Sequence, residues 1–138
     1  MDFSHINWLA LIVATLASFA LGALWYSFLF KKTWIREVGI PEEEMNKANL
    51  GKIFGTCLLL TAVMGFGMAM MIQGHGMSVL FDWKAGMWHG LFIGLCFVAP
   101  SIGINYLYQR KSFLLWAVDA GYQVAFLVLM GIIFGAWH

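Results

Sequence analysis

Four stretches of this chain are each long enough to cross a bilayer and nearly empty of charge, and no other feature narrows its possible folds as far. They run from Ile6 to Phe30, Leu50 to Gln73, Ala85 to Tyr108 and Phe113 to Trp137. Lys52, near the start of the second, and Asp119, inside the fourth, are their only charged side chains. A hydrocarbon core takes about 20 helical residues to span. Inside it each backbone N–H and C=O must find its partner within the segment, which leaves the α-helix for isolated spans. Composition closes off a soluble alternative. Of the 138 residues 62% are apolar and 11% charged, too few charges to cover the large relative surface of so small a domain. The sequence therefore predicts one all-α integral membrane domain over residues 1–138, a bundle of four transmembrane helices, with the bilayer as its first partner.

Basic residues set the orientation. Lys31, Lys32, Arg36, Lys47 and Lys52 flank or occupy the loop at 31–49, and Arg110 and Lys111 sit in the short third link, against Lys84 alone on the other side. The positive-inside rule then puts both of those loops in the cytoplasm and both termini outside. Trp8, Trp83, Trp88 and Trp137 are expected at the outer interface, and Trp25, Trp34, Tyr106, Tyr108 and Trp116 at the inner one. "GIPEEEMNKANL" reads as a short helix begun by proline with acids in its first turn. "MDFSHIN" lacks the basic start of a cleavable signal, so the first span is expected to remain attached. A net charge of +1 offers nothing to nucleic acid. Cys57 and Cys96 lie inside apolar runs without CxxC spacing, and neither a disulfide nor a zinc site is expected.

Apolar helices in lipid associate through close packing and hydrogen bonds. Small residues at one-turn spacing mark the contact stripes: Gly86, Gly90 and Gly94 in the third span, Ala10, Ala14, Ser18 and Gly22 in the first, and Ala117, Gly121 and Ala125, then Gly131 and Gly135, in the fourth. Pro100 is expected to interrupt the third. On the fourth helix Asp119 and Gln123 lie nearly opposite Gly121 at 100° per residue. Two distinctive faces in a four-helix protein suggest a neighbour beyond the chain, hence a homo-oligomer.

Asp119 lies some six residues, roughly 9 Å, inside the fourth span. Trp25 and Tyr26, Asn105, and Tyr122 and Gln123 fall at similar depth on three helices. Such a layer is a candidate site for a small solute, ion or proton, since ionisable groups inside a membrane are functional candidates by default. The plainer alternative is a set of hydrogen bonds that locks the bundle. A second cluster gathers on the outer side, where His75, Met77, Met71 and His89 offer the imidazole and thioether donors that copper(I) accepts. Methionine is also an ordinary filler of apolar cores. No serine or threonine stands with a histidine and an acid at one depth and no phosphate-binding glycine loop appears, so neither an enzyme nor a cofactor is expected.

"NWLALIVATLASFALGALWYS" with the following "KKTW", and later "INYLYQRKSFLLWAVDAGYQV" and "GIIFGAW", resemble the bacterial membrane proteins grouped as Domain of Unknown Function 1761. The resemblance covers nearly the whole chain. Where that family's Trp-Tyr-Ser usually continues with proline, this chain has Phe28. Membership implies a small multi-span membrane protein and carries no assigned chemistry; the bacterial inner membrane is the expected location. Three functions stay open in order: a membrane protein that binds or conducts a small solute, ion or proton around Asp119; a non-catalytic assembly or interaction protein; and an outer-face copper binder.

Overall fold

The computed structural model describes residues 3–73 and 82–137, and among them the regular structure is all helical. Four helices are long and apolar enough to cross a membrane: Trp8–Leu29, Leu50–Ile72, Trp83–Tyr108 and Phe113–Ala136. The first consists of α1 (Trp8–Leu24) and a π-helical turn, Trp25–Leu29. Two short helices follow, α2 (Lys31–Val38) and α3 (Glu42–Asn46). Then come α4 (Leu50–Ile72) and α5 (Trp83–Ile93), a second π-helical turn (Gly94–Val98), α6 (Ala99–Tyr108) and α7 (Phe113–Ala136).

Each long span starts at a side chain that closes its own first turn. Asn7, Asn49, Asp82 and Ser112 accept hydrogen bonds from the backbone N–H three residues on, at 3.0, 3.0, 2.9 and 3.1 Å. These satisfy donors that would otherwise be orphaned at the helix end. Helix α2 stops at Gly39, whose φ of 67° lies in the left-handed region that glycine enters without strain. The first loop thus holds two helices rather than the one read from its sequence.

Pro100 carries no N–H to continue an α-helical ladder, and the chain meets it with a π turn, in which the Ala99 N–H reaches back five residues to Gly94 O. The other π turn forms with no proline at all, and Phe30 N–H donates to Trp25 O at 2.9 Å. Arg110 closes the α6–α7 link with φ 55°. The Lys111 and Arg110 N–H groups donate to Tyr106 O and Leu107 O, at 2.9 and 3.1 Å. That is the paired bonding of a Schellman helix end, with arginine where glycine is usual.

Helix α7 is the hub. It contacts α1, α2, α4, α5 and α6, and 39% of its most apolar stretch is buried, against 17–22% for the other spans. Against α5 the packing is backbone on backbone. A methyl placed on Gly86 would fall on the carbonyl oxygen of Gly131, one on Gly90 on that of Leu127, and one on Gly135 on that of Asp82. Gly94 faces Val124, whose Cα and side chain a methyl would approach to 3.0–3.3 Å. On the other side the small stripe of α1 is sealed, with Ala10, Ala14, Ser18 and Gly22 all buried. Phe126, Met130 and Phe134 of α7 fill the centre with Met68, Ala69 and Ile72 of α4.

Gln73 fastens the end of the bundle where the chain starts and stops. Only 3% exposed, it accepts the Asn7 N–H at 3.0 Å and donates to Phe134 O and Trp137 O at 3.3 and 2.9 Å. The side chain of Asn7 also reaches Trp137 O, at 3.5 Å. The two ends of the chain therefore meet at one end of the bundle. At the opposite end, Ser112 donates to Glu37 at 2.6 Å, pinning α2 to the start of α7.

A candidate site around Asp119

Asp119 stands seven residues into α7, half-buried, with both carboxylate oxygens engaged. The hydroxyl of Tyr26 donates to Oδ1 at 2.7 Å and that of Tyr106 to Oδ2 at 2.6 Å. Those are the lengths of charge-assisted O–H···O⁻ bonds, about 2.5–2.7 Å. The two donors come from different spans, Tyr26 from the π turn after α1 and Tyr106 from α6. One acid on the hub helix therefore ties down both interrupted spans.

Aromatic side chains frame the clamp. The Trp25 indole donates to Val118 O at 3.0 Å, and its ring lies over Gly121, where a Cβ would come within 3.2 Å. Tyr122 donates to Ser18 O at 3.2 Å and occupies the space left open by Gly22. Tyr26 meets Tyr122 and Trp34 edge-on, with ring centroids 5.3 and 5.7 Å apart. One turn before Asp119, the Trp116 indole donates to Ala99 O at 2.8 Å, next to Gly103. The aromatics expected to ring the inner interface are therefore mostly turned into the bundle. Tyr108 alone of the five is exposed, at 87%.

The candidate residues are only partly brought together. Tyr26 bonds Asp119, and Trp25 and Tyr122 flank it. Gln123 is half-buried without a side-chain hydrogen bond among the described residues. Asn105 is exposed, and its neighbour Tyr106 takes the place at Asp119. Helical phase explains the exchange. In an uninterrupted α-helix at 100° per residue, Asn105 would lie about 20° from Gly94, on the face that meets α7. The π turn at Gly94–Val98 inserts one residue into that count and brings Tyr106 round instead. Gln73, unassigned in the sequence reading, was findable only as a polar residue closing an apolar run.

The two faces of α7 that suggested a second subunit both find neighbours within one chain, Asp119 at Tyr26 and Tyr106, and Gly121 at Trp25. Of the residues expected to offer metal ligands, His75 and Met77 lie outside the described residues. Met71 is exposed, and the Nδ1 of His89, also exposed, sits 2.9 Å from Ala85 O. Among the described residues no three of His, Cys, Asp and Glu gather as a metal site.

Near the rim the Glu37 carboxyl is held below the usual carboxylate range, first by the Ser112 hydroxyl and then by Arg36, whose Nε lies 2.9 Å away. It links α2 to α7 but makes no contact with the clamp. Asp119 itself has no basic partner within salt-bridge distance among the described residues. Its two hydroxyl donors satisfy lone pairs and bring no opposite charge.

No curated protein and no solved structure matches this chain. The family model described as "Protein of unknown function (DUF1761)" matches residues 9–135, nearly the full length, and the chain belongs to that family.

Proposed function

We propose that this is a non-catalytic protein of the bacterial inner membrane that binds a proton or a small cationic solute at Asp119, in the half of the bundle nearest the cytoplasm. One observation carries the reading: a carboxyl group inside a membrane span is clamped by two hydroxyls, with no basic side chain at salt-bridge distance among the described residues. A charge so placed is costly to hold, and a cation or proton that reaches it gains an attraction that no described basic residue uses. Tyr26 and Tyr106 supply the release, since either hydroxyl can turn away when the carboxylate takes another partner. The basic residues beside the 31–49 loop and the third link support the cytoplasmic placement.

The test is flux in proteoliposomes, with an internal pH dye for protons and ion-sensitive dyes for sodium and potassium. The wild type should dissipate at least one imposed gradient, and Asp119→Asn should abolish that flux while the protein stays folded in detergent. Equal flux from wild type and Asp119→Asn would defeat the reading.

A second reading, an assembly or interaction protein in which Asp119 is a lock, is favoured by the same clamp, because both oxygens are already satisfied. It predicts no flux for any of the three ions and a marked loss of thermal stability in Asp119→Asn.

A further inference from the structure

Helix α6 has two unlike sides. Ala99, Gly103 and Tyr106 meet α7, through the Trp116 indole and the Asp119 carboxyl. On the opposite side Ser101, Asn105 and Tyr108 follow one another at intervals of four and three residues. At 100° per residue they fall within about 60° of one line along the helix, and all three are exposed. None of these side chains has a hydrogen-bond partner among the described residues. Thr15 and Thr61, hydroxyls in other spans, donate instead to the carbonyl four residues back. Pro100, beside the stripe, brings no N–H, so one carbonyl of the preceding turn also loses its ladder donor.

The stripe runs well into the membrane. Ser101 lies seven residues, roughly 10 Å, inside the span's end at Tyr108, against about 15 Å for half of a hydrocarbon core. Polar side chains within spans are satisfied by hydrogen bonds to neighbouring helices, and the chemistry of this stripe selects the neighbour. Amide and hydroxyl groups each donate and accept, so the stripe is complementary to itself. It carries no charge, which gives a charged partner segment nothing to pair with and a copy nothing to repel. Copies inserted in one orientation, related by a two-fold axis along the membrane normal, set equal depths against each other. Asn105 then meets Asn105, and Ser101, the small residue of the stripe, meets Ser101 where the two helices approach most closely. We propose that a second copy of the chain covers this stripe, in a parallel dimer with the Asn105 amides paired across the axis. The inference uses the side of α6 away from Tyr106 and is independent of any role for Asp119.

Disulfide trapping in native membranes tests it first. With the two free thiols removed by Cys57→Ser and Cys96→Ser, Ser101→Cys should give a disulfide-linked dimer on mild oxidation. Leu59→Cys, exposed on α4, should not. Single-molecule photobleaching of the full chain in liposomes, across a range of dilutions, then reads the affinity. The wild type should pass from dimer to monomer on dilution, and Asn105→Leu should raise the dissociation constant about tenfold, the scale of an interhelical polar contact. Asn105→Gln, which keeps the amide, should lose less. If Asn105→Leu does not fold, trapping at Ser101 and the glutamine variant carry the test. A wild type monomeric at every dilution, equal trapping at positions 101 and 59, an Asn105→Leu variant that dimerises as the wild type does, or a different protein trapped at Ser101→Cys would each overturn the proposal.

Discussion

At the scale of single residues, the contrast between Asp119 and Ser18 shows two ways of keeping a polar group inside the bundle. Asp119 has two strong donors. Hydrogen bonds to a charged group contribute about 1.5–3 kcal/mol each, so Tyr26→Phe and Tyr106→Phe should each lower stability in detergent by about that much. The double variant should fall short of the sum, because both bonds share one acceptor. Thermal unfolding of the three proteins checks this, and full additivity would mean the two tyrosines act independently. Ser18 is buried with its hydroxyl oxygen unpartnered, whereas Thr15 and Thr61 donate to Leu11 O and Cys57 O, each at 2.8 Å. Ser18→Ala removes a buried polar atom and breaks no bond, so it should leave stability within about 0.5 kcal/mol of wild type or raise it. A loss above about 1 kcal/mol would reveal a partner for that hydroxyl.

Among the elements, the α5–α7 pair is set by the absence of side chains. Gly90→Ala drives a methyl into the Leu127 carbonyl and should cost about 3 kcal/mol or more, since neither backbone can yield without parting the helices. Gly67→Ala meets nothing within 4 Å and should be neutral or gain up to about 1 kcal/mol in helix propensity. The α2–α7 contact is read through pH. Because Glu37 is held below its ordinary value, its contribution is complete above roughly pH 4.3 and is lost as pH falls through the lower folded value. Melting temperature should therefore drop on acidification in that window, and less so in Ser112→Ala. Identical profiles would remove the contact from the account. Much of this organisation was legible beforehand. The glycine stripes fixed by 3.6-residue periodicity do lie against α7 or its partner, and Asn7, Asn49, Asp82 and Ser112 are ordinary capping residues placed before apolar runs. Tyr106 was not legible as the partner of Asp119. Depth along a helix survives a π turn, but azimuth does not, and nothing in "GLCFVAP" other than its proline announces the extra residue. Gln73 escaped for another reason, since its partners are backbone carbonyls 61 and 64 residues away.

For the whole molecule, the meeting of Asn7 with Trp137 requires an even number of crossings. Protease-cleavable tags on the two ends should be cut together, or spared together, in sealed vesicles of one orientation. One end cut and the other protected would be incompatible with this arrangement. The bundle is also unequal from end to end. Around Gln73 three helix ends are bound into a closed knot, while at the basic end α4 leans away and the clamp at Asp119 holds the remaining helices. Burial of α4 is concentrated where the chain begins and ends, and its exposure where the charges are.

The π turn at Gly94–Val98 acts on the third span as a frameshift acts on a codon series. Excising one residue there, Cys96 for instance, would heal the ladder and leave Tyr106 at the acid. Rewinding that turn as α-helix with every residue kept would instead rotate all that follows by about 100°, presenting Asn105 to the acid and swinging Tyr106 outward. A shorter amide in place of a phenol would then greet Asp119, without any change to either residue. A change between α and π winding at this point is thus a way for such a chain to exchange the chemistry of its interior in one step.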